Sequence, residues 1–285
     1  MINYNPKVWI PFIFKITKAD TFRKLLPLML IVGAYSGVVA YCEMEIFEIT
    51  KTDFISNFSL MHGVLGFVIS LLLVFRTNTA YDRWWEGRKL WGALTNNSRN
   101  LAIKLHALVT DERDKIYFRL LIPGYAFALK SHLRENENYE EIDPVLDLKK
   151  EHHIPNQLAA KLFEKLNHLY KNGTITGDQF WLLNEEFRSF TDICGACERI
   201  KNTPIPFTYS VYIKKFIFLY VLTLPFGWTI SLGYYIIPVV MFILYAFASL
   251  ELIAEEIENP FGTDPNDLPI DQICMNIKKH VGEII

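Results

Sequence analysis

The chain has 285 residues, of which 51% are hydrophobic and 14% aromatic, and its mean hydropathy is +0.16 although 21% of residues are charged. The apolar residues must therefore be segregated into blocks, which disfavours an ordinary soluble enzyme. A net charge of -2 leaves no basic excess for phosphates and excludes nucleic-acid partners, and four cysteines are too few for a disulfide scaffold and fit a reducing compartment.

Residues 1–24 interleave Trp9, Ile10, Phe12, Ile13, Phe14 and Ile16 with Lys7, Lys15 and Lys18 and lack a cleavage-site pattern. This predicts a segment lying on the inner leaflet or packed on a cytoplasmic body. The first charge-free block, Leu25 to Cys42, is followed by a loop, Glu43 to Asp53, with four acids and one lysine. A second block runs from Phe54 to Phe75, with His62 its sole titratable group, and a third from Phe216 to Leu250. One span takes about 20 apolar residues. The third block, broken by Gly227, Gly233 and Pro238, therefore holds two spans joined near Ser231 to Tyr235, and the total is four transmembrane helices. Arg23, Lys24, Arg76, Lys214 and Lys215 flank the spans on one side, which places both termini in the cytoplasm and suits a plasma (inner) membrane.

Between the second and third blocks, residues 76–215 carry 39 charged side chains and read as a folded, helical cytoplasmic body. Leu94 to Leu108, Gln157 to Tyr170 and Phe180 to Ile200 repeat apolar residues near period 3.6, the last with Asp178 as its predicted cap. Glu135 to Pro155 is an acidic linker, and its His152-His153 pair has no partner at metal-ligand spacing. Cys194-Gly195-Ala196-Cys197 has C-x-x-C spacing but no second pair or βαβ context, so neither a redox nor a zinc site is assigned. Glu251, Glu255 and Glu258 share one face of the cytoplasmic 251–285 segment, either solvated or able to attract cations. No nucleotide-binding, hydrolase or metalloprotease motif occurs, so no enzyme class has a foothold.

The second span is the most informative. Phe67, Leu71 and Phe75 recur every four residues, about 40° apart per step, and form one bulky stripe beside a narrow one of Gly63, Gly66 and Ser70; Val68 and Leu72 are read as the helix's other side. Such a stripe touches lipid or a neighbouring helix, or lines an axis where large apolar side chains gate ions by dewetting.

Three motifs in order tie this span to a family. Phe75-Arg76-Thr77-Asn78-Thr79-Ala80-Tyr81-Asp82-Arg83-Trp84-Trp85-Glu86 with Leu90-Trp91-Gly92, then Ile205-Pro206 before Tyr209, then Asn259-Pro260-Phe261-Gly262-Thr263-Asp264, resemble the bestrophin signature over roughly residues 20 to 270. The eukaryotic Arg-Phe-Pro tripeptide is replaced by Thr203-Pro204-Ile205, which points to the bacterial branch. The resemblance implies an all-α homopentamer around one pore, passing chloride or other small monovalent anions, with itself, membrane lipid and small inorganic ions as partners and no required cofactor. It further implies a neck of Phe67, Leu71 and Phe75 and a second, cytoplasmic constriction at Ile175 in Asn172-Gly173-Thr174-Ile175-Thr176-Gly177. The family's acidic calcium clasp is reduced here to Asp264 and Asp267. Calcium binding stays possible, completed by backbone carbonyls, but a turn capping the next helix is favoured. A monovalent cation channel and a non-conducting scaffold with a partner-binding body remain as alternatives.

Overall fold

A computed structural model of the chain describes residues 21–47, 53–136, 141–142, 148–149 and 151–285, so the N-terminal segment and most of the acidic linker lie outside the described residues. Every regular element among them is helical: α1 Thr21–Tyr41 with a π-turn Cys42–Ile46, α2 Asp53–Leu108, α3 Glu112–Leu133, α4 Ile154–Lys171, α5 Gly177–Asn202, α6 Phe207–Leu232, a 3₁₀ turn Gly233–Tyr235, α7 Ile236–Glu258 and α8 Ile270–Ile284. Four helical stretches, Thr21–Ile46, Phe58–Leu108, Phe207–Phe226 and Trp228–Glu258, are long and apolar enough to cross a membrane. The chain divides into two compact units, one built from the described residues up to 82 together with 204–258, the other from 83–203 together with 259–285.

In the first unit α1 packs on α7 through Gly33 and Gly37, a G-x-x-x-G pair. A Cβ at Gly33 would lie 2.8 Å from Met241 Sδ, and one at Gly37 3.3 Å from Ile237 Cδ1. Without a hydrophobic driving force between helices in lipid, such close approach is what holds them. Leu25, Met29, Val32, Ile69, Leu73, Ile213, Ile217, Val221, Val240 and Leu244 complete this core. The expected hairpin between the last two spans falls on Gly233–Tyr235, and Gly233 takes a φ of +56°, a conformation that favours glycine and ends α6. Gly227 does not break α6, and Pro238 sits in the first turn of α7, where its missing N–H costs nothing.

The second unit is an amphipathic helix assembly. Leu158, Leu162, Leu166 and Leu169 on α4, and Ile270, Cys274, Ile277 and Val281 on α8, follow helical spacing and are buried with Trp91, Phe118, Tyr125 and Phe190. A fully buried Leu or Phe contributes about 1.5–3 kcal/mol. α3 carries Glu112 and Asp114 in its first turn and Lys130 and His132 in its last, matching the helix dipole. The cap of α5 differs from expectation: Thr176, not Asp178, accepts the Gln179 N–H while Gln179 accepts the Thr176 N–H, a reciprocal capping box.

Candidate functional site

Helix α2 presents two apolar faces. At about 100° per residue, Ile69, Leu73, Arg76 and Ala80 fall within about 60° of one another, and all four are buried. Phe67, Leu71 and Phe75 lie about 170° away and are 70%, 45% and 56% exposed. Val68 is also exposed and Leu72 only flanks the core, so the side of the helix opposite the stripe is the Ile69–Leu73 face, not the Val68–Leu72 one. Of the narrow stripe, only Gly66 is a close approach within the chain, its position lying against the Tyr220 hydroxyl; a Cβ at Gly63 would meet nothing within 4 Å.

Arg76 fixes this rotation. It directly follows Phe75, is 1% exposed, and its Nη2 donates to Glu258 Oε2 at 2.6 Å while its Nε lies 3.5 Å from Glu251 Oε2. Glu258 Oε1 in turn accepts the Ile205 N–H at 2.7 Å. The Arg of the first motif, the Ile of the second and the residue preceding the third thus form one ionic clasp. Removing a single member of such a buried network strands a charge, which makes it an effective lock on helix orientation.

His62, the lone titratable group of the second block, is buried, with Nδ1 3.1 Å from the Phe58 carbonyl oxygen and Nε2 3.0 Å from the Thr223 hydroxyl. The carboxylates expected as an open face on α7 are paired instead: Glu251 and Glu258 with Arg76, Glu255 with Lys214 at 2.9 Å, and the adjacent Glu256 with Lys24.

Signature residues also brace the second unit. Arg83 donates to the Ile200 and Thr203 carbonyls, Trp84 Nε1 donates to the Asn266 carbonyl at 3.0 Å, and a Cβ at Gly87 would come within 3.0 Å of the Phe261 ring. The Asn-Pro-Phe-Gly turn is held by Asp267, which is 2% exposed and whose carboxylate accepts the Asp264 N–H at 2.6 Å. Asp264 and Asp267 are therefore neighbours in one turn, with the Asp267 carboxylate directed at its backbone and Asp264 exposed.

Ile175 follows the end of α4. Gly173, at φ +71°, donates to the Tyr170 carbonyl and Thr174 to the Leu169 carbonyl, a Schellman ending to α4 that folds the next residue inward. Ile175 is consequently 2% exposed and packed within the core of its own chain. Cys194 and Cys197 are also buried, and burial pushes the Cys194 thiol up to about 12 and the Cys197 thiol up as well, so both stay protonated and unreactive.

Comparison with known proteins agrees with this architecture. A family model described as "Bacterial/Fungal Bestrophin protein" matches residues 1–283. A voltage-dependent anion channel-forming protein of Nostoc sp. is 39% identical over 228 residues, covering 76% of this chain and 74% of that protein. One from Synechocystis sp. is 37% identical over 233 residues, covering 78% and 76%. The crystal structure of a mutant bacterial bestrophin homolog from Klebsiella pneumoniae superposes with a TM-score of 0.77 at 27% identity, covering 92% of this chain and 98% of that one.

Proposed function

The chain belongs to the bacterial and fungal bestrophin family, and on that premise we propose that this integral membrane protein is a passive channel for chloride or other small monovalent anions, with a pore shared by five copies. The observation that carries this reading is the exposed Phe67–Leu71–Phe75 face, set opposite the face that α2 buries. A pore lined by one helix per chain needs several chains to close. Rings of these side chains would form its neck, where confined water loses hydrogen bonds that hydrocarbon cannot replace, so hydration of the neck controls conduction. The names of the cyanobacterial relatives support anions as the permeant.

A cation-selective variant drew its support from the acidic face of α7. With Glu251, Glu255, Glu256 and Glu258 each paired to a basic side chain, that face offers little net charge to select cations. The inner membrane, with both termini in the cytoplasm, is the location the flanking basic residues favour. Purified protein in a planar bilayer under a KCl gradient should show discrete currents reversing near the chloride equilibrium potential. Reversal near the potassium potential would make it a cation channel, and the absence of currents would make it a scaffold. Native mass spectrometry should give an assembly of five 33.2 kDa chains.

A further inference from the structure

The second unit brings together three side chains that lie far apart in sequence. His132 stands in the last turn of α3, His153 is the N-cap residue of α4, and Glu198 lies near the end of α5. Glu198 Oε1 is 2.8 Å from His132 Nε2 and 2.7 Å from His153 Nε2, the two imidazole rings are 4.3 Å apart between centroids, and the three donor atoms all fall within 4.8 Å of one another. Each side chain is about a third exposed, so an ion can reach the cluster and a water can share it.

We propose that His132, His153 and Glu198 form a binding site for a divalent transition-metal ion of the zinc class, with three protein ligands and one position left to water. Two imidazoles and one carboxylate suit zinc and its neighbours, whereas calcium and magnesium take oxygen ligands almost exclusively. The protonation states agree. Burial and the neighbouring His153 hold His132 below the usual histidine range, and the two histidine bonds hold Glu198 below the usual carboxylate range against the opposing effect of burial. A neutral ring and an ionised carboxylate are the forms that bind metal. The nearby Lys201 donates to the His132 carbonyl and pairs with Glu135 at 3.0 Å, which offsets its charge.

Metal binding has a specific consequence at His153. Its Nδ1 accepts the Asn156 N–H at 3.1 Å, so in the metal-free protein the ring proton is on Nε2 and points at Glu198. Ligation through Nε2 releases that proton to solvent, and Nδ1 takes one from solvent; the ring stays neutral and the Asn156 N–H, which is exposed, turns to water. The ion would tie the start of α4 to α3 and α5 and close the linker between residues 133 and 153, a clip on the body that does not depend on the pore.

The test uses full-length protein in detergent, stripped with a chelator and titrated with zinc by calorimetry. One ion per chain is expected. His132→Ala and Glu198→Gln should each weaken binding by about tenfold or more. His153→Asn, which retains a capping side chain, should melt like wild type and lose the same affinity, while the neighbouring His152→Ala should bind as wild type does. In ¹⁵N-histidine spectra the His153 proton should move from Nε2 to Nδ1 on zinc addition. Cobalt added to wild type should give the intense visible absorption of a four-coordinate site, a readout that needs no variant. Binding unchanged in all three ligand variants, or less than half an ion per chain with no cobalt band, would overturn the proposal.

Discussion

The two faces of α2 are alike in composition and opposite in fate. Ile69 and Leu73 are sealed in the first unit's core with side chains of α1, α6 and α7, whereas Phe67, Leu71 and Phe75, no less apolar, are left about half or more exposed by their own chain. Periodicity finds the bulky stripe but does not say which face of the helix the chain itself buries. What decides is a charged residue: Arg76, clasped by Glu251 and Glu258, sits on the buried face and turns the three bulky side chains outward. A protein that spends its only buried guanidinium among the described residues on orienting one helix needs the other side of that helix for something.

The sharpest way to break this contrast is at the clasp. Arg76→Leu removes the counter-charge of the buried Glu251 and of the partly buried Glu258 and should cost about 3–5 kcal/mol, seen as loss of monodisperse protein and a lower thermal midpoint. The triple variant with Glu251→Leu and Glu258→Leu should recover part of that loss. Next, Leu73→Ala opens a cavity in a packed core and should destabilise by about 2–5 kcal/mol in the same melting assay. Leu71→Ala should leave the melting of the folded chain within about 0.5 kcal/mol of wild type.

Smaller effects separate the acidic turn from a calcium site. Asp267→Ala leaves the Asp264 N–H without its acceptor and should cost about 1–3 kcal/mol. Asp264→Ala, at an exposed position, should change neither stability nor current, and micromolar calcium should leave opening nearly unaffected in both wild type and this variant. Steep calcium activation abolished by Asp264→Ala would restore the clasp. The smallest effect concerns pH. Burial would raise the Asp271 carboxyl, but hydrogen bonds from Arg134 and Lys130 outweigh it and hold it below the usual carboxylate range. A depressed folded-state pKa contributes stability that is full above about pH 4 and fades as pH falls through the folded value. The difference in melting between wild type and Asp271→Asn should therefore be modest at pH 7 and shrink below about pH 4.

The four spans, the hairpin at Gly233 and the helices of residues 154–171 and 177–202 were legible because charge and period mark them locally. The length of α2 was not. Arg76 ends the charge-free run and reads as a membrane boundary, yet no proline interrupts the following thirty-two residues and the helix continues to Leu108. α3 escaped notice for a related reason: residues 121–133 are buried almost throughout, so no polar face gave the stretch a period. The Phe67–Leu71–Phe75 stripe was visible as a stripe, but its exposure depends on Arg76 finding carboxylates 175 and 182 residues away. The burial of Ile175 was not legible because a short motif does not reveal that a Schellman turn points the residue inward. His153 had no partner within local spacing, since His132 and Glu198 reach it only through the packing of three helices.

The central claim, that the exposed stripe of α2 is the neck of a pore, is tested most directly by single-channel recording of Leu71→Ala beside wild type in planar bilayers, with the oligomer checked in the same preparations. A pore lining predicts that truncation widens and wets the constriction, so Leu71→Ala should assemble normally and carry a larger unitary current or open more often. An unchanged current with normal assembly would mean that Leu71 faces lipid, and a broken oligomer would mean that it packs between chains. Either result would contradict the neck at Phe67, Leu71 and Phe75 together, because the three share one helical face.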